Sequence, residues 1–254
     1  MLTESQRERI NVVLVSPRNP LNIGAVARAM ANFGFTRMRV VTPYEPHWRE
    51  ARSAVGAPQL LTDAHQTASL PEAIRDCSLV LGTGTLTHRK AEQPVVRLDQ
   101  LAPLVAGSLS RNEQIALVFG PEKHGLTRED LSYCHILVEI PTDQRQPSMN
   151  LGQAAAVCLY ELATRVQIPP EAVGIEPPKN AEEPAPSSGN LEVLANLIEE
   201  VMTASNYSPQ TMRAANRHYL RLMLRRMRLN ATDIRRALGL FRRILWRLKR
   251  GPRS

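Results

Sequence analysis

The chain has 254 residues, of which 43% are hydrophobic, and a formal net charge of +8, so it can bury a substantial core and is not intrinsically disordered. It contains no run of the roughly 20 apolar residues that a membrane span needs, and its charged first ten residues lack the apolar centre of a signal peptide, which predicts a cytoplasmic protein. Its three cysteines lie far apart without CxxC spacing, which argues against a disulfide framework or a zinc knuckle.

Short apolar runs in the first 140 residues predict buried strands. These runs are INVVLV (10–15), MRVV (38–41), LVLG (79–82), IALVFG (115–120) and ILVEI (136–140). Their hydrophobicity is continuous rather than alternating, which is typical of a parallel sheet covered on both faces. Helical patterns separate them, at 23–33, around LPEAIRD (70–76), at 98–109 and at 127–134. The alternation predicts an α/β domain over residues 1–168.

A linker and a small helical domain are predicted after this α/β domain. Residues 169–189 are rich in Pro, Glu and Ser and have little to bury, which indicates a linker. Residues 190–254 then predict three helices with an apolar interior and a basic surface. The predicted apolar positions are Met212, Tyr219, Leu220, Met223, Leu224 and Met227 in the second helix, and Ile234, Leu238, Phe241, Leu245 and Leu248 in the third.

The positive charge is concentrated in this C-terminal region. Residues 201–254 contain 14 Lys and Arg against one acid, Asp233, a net charge of +13 that leaves −5 of the overall +8 for residues 1–200. Such segregation favours a module that binds a polyanion, nucleic acid in particular. The aromatic content of 4%, with Trp48 and Trp246 isolated, argues against an aromatic platform for single strands.

Glycines and polar residues follow several of the predicted strands, where an open α/β sheet binds its ligands. VSPRNPLNIGAVARAM (15–30) sets Asn22 and Arg28 in a helix after a strand. An Arg at this position is either a surface residue or a clamp for a phosphate, which its planar fork suits. VLGTGTLTHR (80–89) offers Thr83, Gly84 and Thr85, and fits either a plain turn or a close ligand contact.

Two further strand ends carry candidate site residues. LVFGPEKHGLT (117–127) holds Glu122 between Gly120 and Gly125, and a structural turn alone does not explain a carboxylate there. IPTDQRQPSMNLGQAAAV (140–157) passes from a strand through a polar loop into a helix of small residues, with Ser148 and Asn150 at the helix start.

Together, NPLNIGAVARAM (19–30), LVFGPEKHGLT and IPTDQRQPSMNLGQAAAV resemble the three successive motifs of the SPOUT RNA 2′-O-methyltransferases. The similarity runs from about Ile10 to Val166 and extends to the basic helical region. It implies S-adenosylmethionine as methyl donor, an α/β fold with a deep trefoil knot, and an obligate homodimer. It also implies tRNA as substrate, with methylation of the ribose of cytidine or uridine at position 32 of the anticodon loop.

The resemblance also implies which residues form the site. The residues expected to contact the cofactor, largely through backbone groups, are Thr83, Gly84, Thr85, Gly120, Ile140, Pro147, Ser148 and Met149. The residues expected to serve catalysis are Arg28, Asn22, Glu122, Ser148 and Asn150. Asn22 and Asn150 would orient the ribose, and Ser148 and Glu122 would support the cofactor loop or Arg28.

Methyl transfer from a sulfonium donor mainly requires that the acceptor oxygen, the methyl carbon and the sulfur are aligned, because the methyl group is already activated. Family accounts give the Arg that matches Arg28 a central part. A guanidinium stays protonated at neutral pH and is a poor base, so we expect Arg28 to bind the adjacent phosphate and stabilise the developing alkoxide. Base action would require a site that removes its proton.

Other classes of function have less support in the sequence. The six histidines show no ligand spacing for zinc, so no metal is expected, and Ser148 lacks the GxSxG turn of a hydrolase. The remaining alternative is a non-catalytic nucleic-acid-binding regulator whose α/β domain senses a small molecule, which the charge of the C-terminal region alone supports. Such a sensor would not need Arg28, Glu122 and the Ser148/Asn150 pair together.

Overall fold

The computed structural model describes residues 2–84, 91–167 and 185–250. Its strands are β1 (Ile10–Val15), β2 (Arg37–Val41), β3 (His65–Thr67), β4 (Leu79–Thr83), β5 (Val95–Arg97), β6 (Ile115–Phe119) and β7 (Ile136–Glu139). Its helices are α1 (Glu4–Arg7), α2 (Pro20–Phe33), α3 (Pro58–Thr62), α4 (Leu70–Ala73), α5 (Ala102–Ser110), α6 (Arg128–Ser132), α7 (Leu151–Arg165), α8 (Ser188–Ala204), α9 (Arg213–Arg226) and α10 (Ala231–Lys249). We call residues 2–167 the sheet domain and residues 185–250 the tail.

The strands form one parallel sheet in the order β3-β2-β1-β6-β4-β7-β5. Strands β1, β6, β4 and β7 are therefore neighbours although they come from distant parts of the sequence. Because the strands are parallel, the loops that follow these four strands meet at the same edge of the sheet. The predicted α/β class with additional C-terminal helices is confirmed.

Both faces of the sheet are covered, which explains the continuous apolar runs. Every residue of β1 is buried. Val12 and Leu14 belong to the larger core, which α2, α5 and α7 complete, whereas Val13 and Val15 belong to a smaller core with α4. Successive side chains of a strand point to opposite faces, so a strand buried on both sides reads as an unbroken apolar segment.

Helix α2 is delimited by local signals and packs closely against α7. The side chain of Asn19 accepts a hydrogen bond from the Leu21 amide at the N-terminus, and Gly34, with a φ of 74°, ends the helix in the left-handed conformation that glycine adopts most readily. In α7, a Cβ added to Gly152 would lie 2.7 Å from the Cβ of Ala25. This close approach places the first and the last of the three motifs side by side.

The sequence patterns missed β3 and β5. Each has three residues, lies at an edge of the sheet and is largely exposed, so neither carries an apolar run. Edge strands pair on one side only, and their position is set by the neighbouring strand rather than by their own hydrophobicity. The five strands predicted from apolar runs are confirmed: β1 has the predicted bounds, and each of the other four differs from its prediction by one residue at one end.

The tail is a bundle of three helices, but two details of the predicted helix faces are wrong. Its core includes Leu191 and Leu194 of α8, Leu220 and Leu224 of α9, and Ile234 of α10. The exposed residues among the predicted apolar positions are Met212, Tyr219, Met223, Met227 and Leu248. Conversely, two arginines assigned to the basic surface, Arg221 and Arg225, are buried. The reason is that α9 packs against the sheet domain as well as against α8.

The linker prediction falls largely on residues outside the described ranges, which resume at residue 185. Helix α8 begins at Ser188, with Ser187 as its cap, slightly before the predicted boundary at residue 190. Among the described residues, no helix combines the length and the apolarity that crossing a bilayer requires.

Candidate active site

A cavity of about 930 Å³ lies where the loops after β4, β6 and β7 meet. Seven of the residues that were predicted to contact a cofactor line this cavity: Thr83, Gly84, Gly120, Ile140, Pro147, Ser148 and Met149. Glu122 also lines it. Thr85 was predicted with them but lies outside the described residues. Residues spread over 67 positions of the sequence therefore share one cavity, because their strands are neighbours in the sheet.

The loop from Ile140 to Asn150 forms one wall of the cavity and leads directly into α7. The hydroxyl of Thr142 donates to the main-chain oxygen of Pro147 (3.2 Å), which closes the loop on itself. The Asn150 side-chain oxygen accepts from the Gly152 amide (2.9 Å) and so caps α7. The abrupt passage from strand to loop to helix thus leaves the backbone of this loop beside the cavity. Arg145, in the same loop, is paired with Asp143.

Gly120 is required by the fold of the second motif. A Cβ at Gly120 would lie 2.2 Å from the Leu126 nitrogen and 2.3 Å from the Gly125 carbonyl carbon. Both neighbours are backbone atoms, which cannot move aside as a flexible side chain can. The segment from Gly120 to Gly125 therefore folds back tightly against the end of β6, and this tight fold shapes the cavity.

We expect Gly120→Ala to lower the affinity for the ligand of this cavity at least tenfold, because the new methyl group forces the 120–126 backbone apart. Isothermal titration with S-adenosylmethionine measures the effect. Gly107→Ala is the matched control, since Gly107 lies in α5 and its nearest neighbour is the end of the Arg111 side chain, at 3.7 Å. Equal affinities of the two variants would contradict this role of Gly120.

Glu122 connects the first motif to the second. Its carboxylate accepts hydrogen bonds from the Arg18 and Asn19 amides (3.1 Å each) and from the Asn22 side-chain nitrogen (2.9 Å). The Asn22 side-chain oxygen in turn accepts from the Asn150 side-chain nitrogen (3.0 Å). One hydrogen-bonded chain therefore joins Glu122, Asn22 and Asn150, which represent all three motifs. Glu122 supports the loop before α2 and shows no contact with Arg28.

The ionised form of Glu122 is favoured by these donors. Partial burial acts to raise the pKa of Glu122, but the hydrogen bonds from Asn22 and from backbone amides outweigh it and hold this pKa below its ordinary value. Glu122 is consequently a carboxylate at neutral pH, and it acts as an acceptor that orders the neighbouring loop rather than as a proton donor.

The lowered pKa predicts a pH dependence of stability. A carboxyl whose pKa is lower in the folded than in the unfolded state stabilises the fold above the unfolded pKa of about 4.3, and this contribution disappears as the pH falls through the folded pKa. We expect Glu122→Gln to lower the free energy of unfolding at pH 7, by an amount that becomes smaller as the pH falls below the unfolded pKa of about 4.3. Urea titrations across this range, with the exposed Glu50→Gln as control, measure it. A difference that does not change with pH would contradict the prediction.

Arg28 stands apart from the cavity. It lies exposed on α2, does not line the cavity, and forms no hydrogen bond or ion pair with any residue that the structure describes. Its guanidinium is therefore free to bind an anion from outside the chain. Ser148 is exposed at the cavity wall, whereas Asn22 and Asn150 do not line the cavity but are hydrogen-bonded to each other, and Asn22 to Glu122. Arg28 has no hydrogen bond to any of these four residues.

Several cavity residues were not predicted. Arg97 and Glu139 lie opposite each other in the register of β5 and β7, and Lys123 and His124 lie in the second motif. The position of Glu139 directly before Ile140 was a usable signal in the sequence. Arg97 had none, because its place depends on the pairing of a three-residue edge strand.

The comparisons with known proteins agree with this geometry. Residues 9–160 match the model of the SpoU rRNA Methylase family. The tRNA (cytidine/uridine/adenosine-2′-O-)-methyltransferase TrmJ of Pseudomonas aeruginosa (strain UCBPP-PA14) is 40% identical over 156 residues, 61% of this chain and 60% of that protein. The tRNA (cytidine/uridine-2′-O-)-methyltransferase TrmJ of Escherichia coli (strain K12) is 33% identical over 202 residues, 79% of this chain and 80% of that protein.

A solved structure extends the similarity to the tail. The crystal structure of TrmJ from Z. mobilis ZM4 matches with a TM-score of 0.79 and 27% identity, and the match covers 92% of this chain and 98% of that one. The resemblance carried by the three motifs is thereby confirmed. The chain belongs to the SpoU rRNA methylase family and, within it, to the TrmJ family.

Proposed function

We propose that this protein transfers a methyl group from S-adenosylmethionine to the ribose 2′-hydroxyl of tRNA, at position 32 of the anticodon loop, with cytidine and uridine as acceptors. The observation that carries the proposal is that the loops after β4, β6 and β7 bring residues of the second and third motifs to one cavity. Asn22 of the first motif is hydrogen-bonded to Glu122 of the second and Asn150 of the third. The TrmJ relatives named above support the choice of substrate.

The cavity suits a nucleoside-sized cofactor. Its volume of about 930 Å³ falls in the range of small-molecule sites. The Cβ positions of Gly84 and Gly125 face open space, so that a ligand can approach the backbone there, and Phe119, Ile140 and Met149 supply apolar walls. When bound, the sulfonium donor supplies an activated methyl group whose leaving group is a neutral thioether. Thr83, Gly84, Gly120, Ile140, Pro147, Ser148 and Met149 would hold it.

The residues of the chain would mainly position the acceptor. The 2′-oxygen gains a methyl carbon and loses its proton, so negative charge that develops on this oxygen must be stabilised. The free guanidinium of Arg28 suits this task and can bind the adjacent phosphate, whereas the hydrogen-bonded Asn22 and Asn150 would orient the ribose. Glu122 would keep Asn22 in place.

We further propose a homodimer and a deep trefoil knot, as the family resemblance implies. Helices α2 and α7 pack together and expose Leu21, Val157 and Tyr160, with Leu21 and Tyr160 more than half accessible. Burial of such residues against a second copy is favourable. A dimer is also compatible with the position of Arg28, which does not line the cavity of its own chain.

The tail would serve as a tRNA-binding extension, with domain boundaries at 1–168, 169–189 and 190–254. On the exposed face of α10, Arg235, Arg236, Arg242, Arg243 and Arg247 have no ion pair with any residue in the described parts of the chain. Unpaired guanidinium groups are available for phosphates, and binding of this kind depends strongly on salt. A tRNA substrate places the activity in the cytoplasm.

The test is a methyl-transfer assay with position-specific controls. The purified protein is incubated with S-adenosylmethionine labelled in the methyl group and an unmodified tRNA transcript, which is then digested to nucleosides and analysed by mass spectrometry. We expect 2′-O-methylcytidine or 2′-O-methyluridine, and no product from the same tRNA with a 2′-deoxy residue at position 32. A protein that binds donor and tRNA without transferring the methyl group would refute the proposal and favour a regulator.

A further inference from the structure

The orientation of the tail is set by two regions that contact the sheet domain, the start of α8 and helix α9. Helix α8 starts only after residues 168–184, and a segment of this length reaches at most about 60 Å. The Ser188 and Gly189 amides donate to the main-chain oxygens of Cys77 (2.8 Å) and Arg75 (2.9 Å), so the start of α8 is held on the sheet domain. With α8 fixed at this end, the contacts of α9 determine how the rest of the tail lies against the sheet domain.

Two buried arginines form the centre of this contact. Arg225 donates from Nε to the main-chain oxygen of Tyr133 (3.0 Å) and from Nη2 to Oε1 of Glu192 (3.1 Å). Arg221 donates to the other oxygen of the same carboxylate (3.1 Å), and its guanidinium lies 4.2 Å from the centre of the Tyr133 ring. The side chain of Arg225 is only 2% exposed. The sheet domain thus provides a main-chain acceptor and an aromatic face to two tail arginines.

A second set of contacts lies beside the first. His218 Nε2 is 2.7 Å from Oε2 of Glu92. The two carboxylate oxygens of Glu92 also accept hydrogen bonds from the Arg128 guanidinium (2.8 and 3.2 Å). The Nη1 of Arg221 lies 3.6 Å from a carboxylate oxygen of Glu129. We call this set of groups the α9 anchor: His218, Arg221 and Arg225 of the tail, with Glu92, Glu129 and Tyr133 of the sheet domain.

The chemistry of the anchor favours one orientation. Burying an arginine is costly unless its donors are satisfied, and Arg225 keeps Glu192 as a partner within the tail but finds the acceptor for its Nε only at Tyr133 of the sheet domain. An apolar contact tolerates sliding, whereas the hydrogen bond from Arg225 to the Tyr133 oxygen (3.0 Å) and the contact of His218 with Glu92 (2.7 Å) fix the position of α9. Desolvation by burial lowers the pKa of Arg225, although the carboxylate of Glu192 acts to raise it.

The sheet-domain half of the anchor is directly connected to the cavity. Glu92 precedes β5, whose Arg97 lines the cavity, and Tyr133 precedes β7, which leads into Ile140. On the tail side, Glu192 of α8 binds both arginines of the anchor, and α8 also packs against α10. The basic face of α10 is therefore held in a fixed relation to the cavity.

We infer that the α9 anchor makes the tail a rigid arm that selects the methylated nucleotide, by holding bound tRNA at a fixed distance from the cavity. The inference rests on the function proposed above and goes beyond it, because it assigns specificity to residues that touch neither cofactor nor RNA. His218, Arg221, Arg225, Glu92 and Glu129 are accordingly positioning residues.

The test reverses the two carboxylates on the sheet-domain side, which leaves the composition of the tail unchanged. Glu92→Lys with Glu129→Lys places two cations opposite His218 and Arg221. The matched control is Glu45→Lys with Glu50→Lys, which makes the same charge change at exposed positions of the sheet domain. Addition of His218→Glu to the first pair restores a carboxylate in the anchor and serves as the rescue.

Tail placement is measured by electron-spin distance distributions between labels at Val55→Cys and Gly239→Cys, both at exposed positions. The native thiols do not interfere, because burial raises the pKa of Cys77, Cys134 and Cys158 to about 12. We expect a narrow distribution in the parent and control proteins, a broad one in the anchor variant and a narrower one after rescue. Circular dichroism should show unchanged helix content. An unchanged distribution in the anchor variant overturns the anchor.

Activity decides whether the fixed orientation selects the nucleotide. We expect the anchor variant to lose at least tenfold in kcat/KM or to methylate additional nucleotides, while its Kd for tRNA stays within about threefold of the parent. Unchanged kcat/KM with the same single product overturns the inference, as does a loss of tRNA affinity as large as the loss of kcat/KM. If the parent protein itself makes no methylated product, the proposed function and the assigned specificity both fail, and the distance measurement still tests the anchor by itself.

Discussion

Replacement of Arg28 by alanine is expected to reduce kcat for methyl transfer by about 10²- to 10³-fold, the usual cost of losing one donor to a developing oxyanion. The affinity for S-adenosylmethionine should change less than twofold, because Arg28 does not line the cavity. Single-turnover methylation of tRNA and calorimetric titration of the donor measure the two quantities separately.

Two further variants refine this expectation. Arg28→Lys keeps the positive charge but removes the planar fork of the guanidinium. Partial activity of this variant would show that the charge matters most, and complete loss would show that bidentate binding is needed. Arg52→Ala, which removes another exposed arginine without a partner among the described residues, should retain full activity. Loss of donor binding in Arg28→Ala, with the rate of the bound complex unchanged, would refute the catalytic role.

The second large effect concerns the basic face of α10. Arg236, Arg243 and Arg247 lie on one stripe of the helix, at spacings of seven and four residues, and all are exposed. We expect the triple alanine variant to bind tRNA roughly 10- to 100-fold more weakly near 0.1 M salt. The slope of log K against log salt should become shallower by about 2 to 3, since each lost phosphate contact removes about one unit.

The control for this experiment removes the same charge from the sheet domain. Arg37, Arg52 and Arg75 are exposed there, and their triple alanine variant should leave the salt slope nearly unchanged. Fluorescence anisotropy of labelled tRNA at several salt concentrations measures both variants. Equal slopes for the two triple variants would mean that α10 is not a phosphate-binding surface.

The two kinds of arginine in the tail have opposite roles. Those of α10 face solvent, and Arg243 and Arg250 stack on the Trp246 ring at 4.3 and 4.0 Å, which orders their side chains without using their charge. Arg221 and Arg225 of α9 instead bind Glu192 within the tail and contact the sheet domain. The high net charge of the tail therefore overstates the number of groups available to RNA.

Much of the site followed from local patterns in the sequence. Unbroken apolar runs predicted the five longer strands, because a strand buried on both faces has no polar side. Asn19, Pro20 and Gly34 set the ends of α2, and Asn230 with Asp233 forms a capping box at the start of α10. The motif residues could be placed at strand ends for the same reason, since the chain must turn there before the next helix begins.

Other features were decided only by the tertiary structure, because they depend on residues far apart in the sequence. Strands β3 and β5 exist through pairing with their neighbours. The groups that donate hydrogen bonds to Glu122 lie 100 to 104 positions before it in the sequence. The Tyr133 oxygen that accepts from Arg225 lies 92 positions from it. In the sequence, Arg225 is indistinguishable from the arginines around it. Only the packing of α9 against the sheet domain makes it a buried anchor, since burial of a charge requires partners that local spacing does not reveal.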